Sequence, residues 1–178
     1  MILRIDENIE LRQLKLTDAK DIFETIDSQR TYLGKWLPFV ETTKDLTDSE
    51  MYVNSVINAD IERFEYVFTI RYNGQFAGIV GFKDTDKANK KTEIGYWLSE
   101  KFQKKGIMTN SVDTLCNFAF KILNINRVQI KCAVGNLPSS NIPKRLNFKL
   151  EGVERDGELL SGNIFVDLEI YSKLKSDL

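Results

Sequence analysis

The sequence predicts a single α+β domain built on one mixed sheet. Some alternating runs are joined by tight turns, while others are separated by amphipathic helical stretches, so antiparallel and parallel strand pairs must coexist. The 178 residues are enough for one core and too few for two comfortable ones. With 42% hydrophobic and 29% charged residues the chain is globular rather than disordered. No repeat, low-complexity tract or linker interrupts it, so residues 1–178 are expected to form one domain.

Ile9–Leu14 opposes Ile9 and Leu11 to Glu10 and Arg12, a short strand. Thr17 or Asp18 is placed to cap a helix carrying Ile22, Phe23 and Ile26. Tyr32–Val40 (YLGKWLPFV) has no clean period and reads as a loop with an unusual apolar load. A second helix is expected from about Thr47 to Arg63, with Met51, Tyr52, Val56, Ile57 and Ile61 on one stripe. Tyr66–Tyr72 and Gln75–Phe82 form a hairpin through Asn73-Gly74, a dipeptide suited to the positive φ angles of a two-residue turn. Lys83–Lys91 is a polar connection to the strand Thr92–Leu98.

A helix of about Gly106–Leu123 follows, with Ile107, Leu115, Phe118, Ala119 and Ile122 expected on its buried face. Arg127–Val134 alternates and stops at Gly135-Asn136, before a short helix of about Ser139–Leu146. Phe148–Glu154 and Asn163–Leu174 close the sheet around Asp156-Gly157. The total is seven strands, mostly antiparallel, and about four helices.

Composition removes several classes of function. A formal net charge of −1 argues against general attraction to nucleic acid or anionic membrane. Cys116 and Cys132 lie inside apolar patterns without CxxC spacing, so a disulfide or zinc site is not expected. The N-terminus has no signal-like apolar stretch and no run reaches membrane-spanning length, which points to a cytoplasmic location. There are no histidines. That removes Ser-His-Asp and Cys-His mechanisms, and no metal is expected. Any proton transfer must use carboxylates, Tyr, Lys, Ser or water.

The most informative segment is Thr92–Asn110 (TEIGYWLSEKFQKKGIMTN), a strand entering a helix through a lysine-rich turn. Unpaired N–H groups and the helix dipole at such a junction favour an anion, and a phosphate in particular. Gly106 permits close approach or positive φ, the amides of Lys105 to Met108 can turn toward phosphate oxygens, and Lys101, Lys104 and Lys105 add charge. Neither GxxxxGK[ST] nor GxGxxG is present, which makes ATP and NAD poor ligands.

Gly-Tyr-Trp-Leu followed by Gln103-x-x-Gly106-x-Met108 resembles the acyl-coenzyme A loop of the GNAT N-acetyltransferase family, whose pattern is Q/R-x-x-G-x-G/A. Met108 in place of Gly or Ala is typical of the branch that acetylates the N-termini of ribosomal proteins. Asn136-Leu137-Pro138-Ser139 through Leu146-Asn147-Phe148 to Gly152 resembles the family's N-x-x-S-x₆-L-G-F-x-x-E-G, with Asn147 in place of glycine. Asn tolerates the left-handed conformation a helix end requires, so that departure is mild. Leu33–Phe39 (LGKWLPF) is similar to the branch's acceptor-entrance segment, and the likeness runs from about Ile9 to Tyr171 in motif order.

The resemblance implies a GNAT fold whose fourth and fifth strands, Thr92–Leu98 and Arg127–Val134, splay apart around acyl-CoA. It implies an N-acetyltransferase that uses acetyl-CoA as cosubstrate. The favoured acceptor is the N-terminal α-amine of a ribosomal protein. A small amine (polyamine, aminoglycoside or amino acid) and a non-catalytic acyl-CoA-binding module are the alternatives. The expected coenzyme contacts are Trp97, Leu98, Gln103, Lys104, Lys105, Gly106, Ile107, Met108, Thr109, Asn136 and Ser139. Trp36, Pro38 and Phe39 are expected at the acceptor, with Glu93.

Glu93, on the strand face of Gly95 and Trp97, is the candidate base; its rival roles are a solvent-facing position or a pairing with Lys91 or Lys131. Ser139 is the candidate donor to the departing thiolate, and is also suited to cap the helix that follows. Tyr96 and Tyr171 are alternative acids, and Cys132 is expected to pack in the core. The sequence is compatible with a homo-oligomer and does not require one.

Overall fold

The computed structural model describes residues 1–178, the side chain of Ile61 excepted. Along the chain run β1 (Ile2–Arg4), β2 (Ile9–Gln13), α1 (Ala19–Ser28), α2 (Arg30–Leu33), α3 (Phe39–Thr42), α4 (Leu46–Ile57), β3 (Val67–Tyr72), β4 (Gln75–Asp86), β5 (Lys91–Leu98), α5 (Ile107–Lys121), β6 (Arg127–Ala133), α6 (Leu137–Arg145), β7 (Lys149–Leu160) and β8 (Ile164–Leu174). The strands form one sheet in the order β1-β2-β3-β4-β5-β6-β8-β7. Neighbours are antiparallel except β5 and β6, which are parallel because α5 carries the chain across between them.

That parallel pair positions the site. Its register covers only Lys91–Glu93 against Arg127–Gln129. Beyond it β5 runs on to Leu98, paired with β4, and β6 runs on to Ala133, paired with β8. The sheet therefore forks, as the resemblance implied, and both arms of the fork end in loops that open helices.

Each sheet face carries its own core. Leu11, Phe68, Ile70, Val80 and Ile130 pack with Val112, Leu115, Phe118 and Ala119 of α5 on one face. Ile22 and Ile26 of α1, Leu33, Val40, Val53 of α4, Phe76 and Ile79 form the other. Strand alternation delivers side chains to both layers. A register shift in the β3–β4 pairing, where Ile70 faces Gly78 and Arg71 faces Phe76, changes the face on which later β4 residues fall.

Several expectations need correction. The sheet has eight strands rather than seven, because Ile2–Arg4 pairs with Glu10–Arg12 as an edge too short to carry a period of its own. There are six α-helices rather than about four, since the Tyr32–Val40 region folds largely into the single turns α2 and α3. The polar connection Lys83–Lys91 does join antiparallel strands, but β4 runs to Asp86 and the turn is confined to residues 87–90. Helix α4 stops at Ile57, and its buried face is Ser49 and Val53, whereas Met51, Tyr52 and Ile57 are exposed. The place of the Ile61 side chain on that stripe lies outside the described residues. Ile122 is exposed because α5 ends one residue before it.

The closing hairpin reverses between Leu160 and Ile164, not at Asp156-Gly157. Asp156 and Gly157 instead occupy an irregularity between the pairs Glu154–Leu168 and Glu158–Val166. There Asp156 takes φ +50° and its N–H donates to Asp167 Oδ1 at 2.8 Å. A turn signal served a bulge.

Candidate active site

The β5–α5 junction has the chemistry of an anion cradle. Gly106 is the N-cap of α5 at φ +74°, a conformation that L side chains avoid. Lys104, two residues earlier, is also left-handed at φ +61°. Among the described residues the N–H groups of Lys105 to Thr109 donate to no acceptor, as the first turn of a helix dictates. They border a cavity of about 580 Å³. Trp97, Leu98, Gln103 to Thr109, Asn136 and Ser139 all line it, so the structure gathers every expected coenzyme contact around one space.

Lys35 and Arg145 line the same cavity, though neither belongs to a local motif that marks it. Lys101 does not line it and lies over the Phe102 ring at 4.8 Å. Gln103 donates to the Tyr32 hydroxyl, which ties the coenzyme turn to α2. Gln29 adds a second tie, donating to Ser99 Oγ at 3.0 Å and accepting from the Glu100 N–H at 2.9 Å.

A second cavity of about 840 Å³ lies on the other side of the fork. Trp36, Leu37, Tyr96, Trp97, Asn136 and Ser139 border both spaces. Here the α6 helix start is decisive. Asn136 Oδ1 accepts the Ser139 N–H at 3.4 Å and caps the helix, so Ser139 is not the cap. Capping by Asn136 releases the Ser139 hydroxyl, which lies 3.3 Å from both Tyr96 Oη and Cys132 Sγ. One hydroxyl proton cannot serve both acceptors, so it can be redirected. Tyr96 donates to the Ser139 carbonyl at 3.1 Å, and burial holds its phenol well above the ordinary range, so it keeps its proton. Burial also raises the Cys132 thiol. Tyr171 borders neither cavity; it is a core residue donating to Glu169 Oε2 at 2.8 Å.

Trp36, Pro38 and Phe39 line the larger cavity with Glu93. Glu93 is buried at the crotch of the fork, and both its oxygens are engaged: Lys83 Nζ is 2.9 Å from Oε1, and Gln129 Nε2 donates to Oε2 at 3.2 Å. Its ion-pair partner is thus neither Lys91 nor Lys131. The lysine is the cross-strand neighbour on β4, its stem passing over Gly95, where no side chain obstructs it.

Glu158 was missed. The β7 bulge brings this half-buried carboxylate to the same cavity, and no hydrogen bond or ion pair among the described residues engages it. Burial raises its pKa above the ordinary value; the charge of Glu93 adds to the rise, while Lys83 and Lys131 oppose it. Lys131 itself is held by Glu154 at 2.8 Å. The cavity therefore offers an unpaired carboxylate with raised proton affinity, and two hydroxyls at the fork that retain their protons. That set suits amine deprotonation beside a leaving group that needs a proton.

A family model described as an acetyltransferase (GNAT) domain matches residues 8–149. The chain is 36% identical to a putative ribosomal N-acetyltransferase, YdaF, of Bacillus subtilis over 98% of this chain and 95% of that protein. It is 25% identical to the ribosomal-protein-serine acetyltransferase of Escherichia coli, over 97% and 96% of the two chains. The solved structure of RimL, a ribosomal L7/L12 α-N-protein acetyltransferase in complex with coenzyme A, superposes with a TM-score of 0.94 at 25% identity, covering all of both chains.

Proposed function

We propose that this chain, which belongs to the GNAT acetyltransferase family and takes its acetyl group from acetyl-CoA, delivers that group to the N-terminal α-amine of a ribosomal protein. The fork between β5 and β6 carries the reading, because it joins an amide-lined anion cradle to a cavity holding a free carboxylate. The names of the Bacillus and Escherichia relatives supply the acceptor class. A cytoplasmic location follows from such an acceptor, and no described helix is long and apolar enough to cross a membrane.

The N–H groups of Lys105 to Thr109 hold the diphosphate, with Lys104, Lys105, Lys35 and Arg145 as neighbouring charges. The thioester then lies in the fork, between Trp97 on one arm and Asn136 on the other. An α-amine has a pKa of about 8, so roughly a tenth is neutral at pH 7 and a modest base suffices. Glu158 accepts the amine proton, directly or through water. Glu93 keeps Lys83 in place and its charge maintains the proton affinity of Glu158, which makes it a positioning residue. Nitrogen attacks the acetyl carbonyl and the carbon–sulfur bond breaks. The Ser139 hydroxyl beside Tyr96 hands a proton to the departing thiolate while taking one from water in the cleft, the amine proton leaving to solvent through Glu158.

Labelled acetyl-CoA incubated with this protein and a cell lysate, followed by mass spectrometry, tests the acceptor. Label on the α-amine of a ribosomal protein is expected. Label confined to small amines would replace that acceptor with the second reading, a polyamine. The cavity's four carboxylates, Asp48, Asp84, Glu93 and Glu158, against Lys83 and Lys131 favour that alternative.

A further inference from the structure

Ser49, in α4, is fully buried, and its Oγ has no hydrogen-bond partner among the described residues. This is unusual for a helical serine, which commonly bonds back to a carbonyl of the preceding turn. Other serines in this chain do so: Ser111 to Ile107 at 2.8 Å, Ser28 to Glu24 at 2.7 Å and Ser55 to Tyr52 at 2.7 Å. Buried polar atoms without partners are rare because desolvation is then uncompensated. The other such side-chain atom among the described residues, Arg71 Nε, belongs to a guanidinium already held by Asp18 and Asp21. Ser49 has no such structural employment.

Its position supplies the reason. Ser49 lines the acceptor cavity, as do Thr42, Thr43, Asp48 and Tyr52. Thr42 and Thr43 both spend their hydroxyls on the Phe39 carbonyl, at 3.0 and 2.8 Å. The Asp48 carboxylate accepts the N–H groups of Lys44 and Asp45 at 2.7 and 3.2 Å, which hold its pKa down and keep it charged. A fixed anion beside Ser49 repels carboxylates and phosphates. A group binding the Ser49 hydroxyl is therefore not an anion. In a peptide acceptor that extends along the cavity, the groups able to accept or donate one hydrogen bond at every residue are the main-chain amides.

We propose that Ser49 is a specificity-determining residue that hydrogen-bonds a main-chain amide group of a peptide acceptor, downstream of the reacting amine. This rests on the peptide-acceptor reading above. It predicts a hydroxyl left unpaired in the free protein and satisfied only when a peptide is bound, so that specificity is gained at the expense of stability.

The test is Ser49→Ala, assayed with a short amidated peptide bearing a free N-terminal serine, together with the thermal midpoint of the free protein. Loss of one hydrogen bond made equally in ground and transition states should raise KM about tenfold with little change in kcat. The melting temperature should stay level or rise, because an orphaned buried hydroxyl has gone. A KM within twofold of wild type would overturn the proposal, and so would a fall in melting temperature of several degrees, which would reveal a structural partner for Oγ. A wild-type enzyme that acetylates spermidine but not the peptide would overturn the peptide-acceptor reading and this inference with it.

Discussion

Glu93 and Glu158, two of the four carboxylates in the acceptor cavity, make separable predictions when each is replaced by its amide. Glu158→Gln removes a carboxylate that carries no ion pair, so nothing else loses its partner and the kinetic effect reports the base itself. General-base removal costs about 10²–10⁴-fold in rate. Because the α-amine titrates near ~8, the deficit in kcat/KM should approach 100-fold at pH 7 and narrow above pH 8, where the amine deprotonates unaided. Glu93→Gln removes the anion that raises Glu158 and frees Lys83, which lowers it. Both changes reduce the proton affinity of Glu158. The acidic limb of the pH profile should therefore move to lower pH, with a loss at the optimum smaller than about tenfold, since one pKa unit corresponds to about 1.4 kcal/mol. Steady-state release of free thiol from acetyl-CoA, followed from pH 5.5 to 9.5, reads both variants. A loss of about 100-fold in Glu93→Gln with a near-normal Glu158→Gln would refute this division of roles and restore Glu93 as the base.

Gly106→Val should abolish binding of CoA in calorimetry. It should also lower the melting temperature by only a few degrees, since φ +74° costs a non-glycine residue about 1–2 kcal/mol while the nearest non-neighbour atom to the added Cβ, Asn110 Nδ2, is 3.8 Å away. Undiminished CoA affinity would remove the cradle from the account. Ser139→Ala should lower kcat by about 10²-fold with KM for acetyl-CoA nearly unchanged, the Tyr96 phenol limiting the damage; a KM effect alone would make it a binding residue. The Glu151 carboxyl is lowered to about 2 by hydrogen bonds from Arg127 and then Ser172. Its contribution is present above its ordinary value of 4.5 and is lost as pH falls through about 2. Glu151→Gln should therefore be less stable than wild type at pH 7 and indistinguishable from it near pH 2, as followed by denaturant midpoints. Glu158 has the opposite sign: burial raises its folded-state value, so Glu158→Gln should gain stability relative to wild type as pH rises through that value.

Local chemistry made much of the site legible. Asn73-Gly74 fixed the central hairpin, and Gly106 announced a left-handed junction that only a glycine enters cheaply. What the sequence concealed depends on distant pairing. Ile2–Arg4 becomes a strand only because Glu10–Arg12 offers it an edge. Asp156-Gly157 carries turn residues, yet the long β7–β8 hairpin uses them as a bulge, and that bulge delivers Glu158 to a cavity walled by β4 and β5. No local pattern around Glu158 encodes that meeting. The apolar stripe expected on α4 failed for a related reason: Met51 and Tyr52 are exposed at the acceptor space, buried Ser49 lines the same space, and only Val53 packs fully into the core. Ser139 places its hydroxyl beside the fork, while the capping role for which it is also suited falls to Asn136 three residues earlier.

A sheet normally confines its unsatisfied main chain to two outer borders, where short strands and charges discourage unwanted partners. By ending the β5–β6 ladder after three residue pairs, this protein acquires a third border in its interior. Only a slender linear molecule rich in amides can dock there, and another folded protein cannot. The same gap that admits a coenzyme therefore protects the exposed ladder from aggregation. Amide hydrogens along the free side of Ile94–Leu98 should exchange quickly in the empty enzyme and slow down when CoA fills the slot.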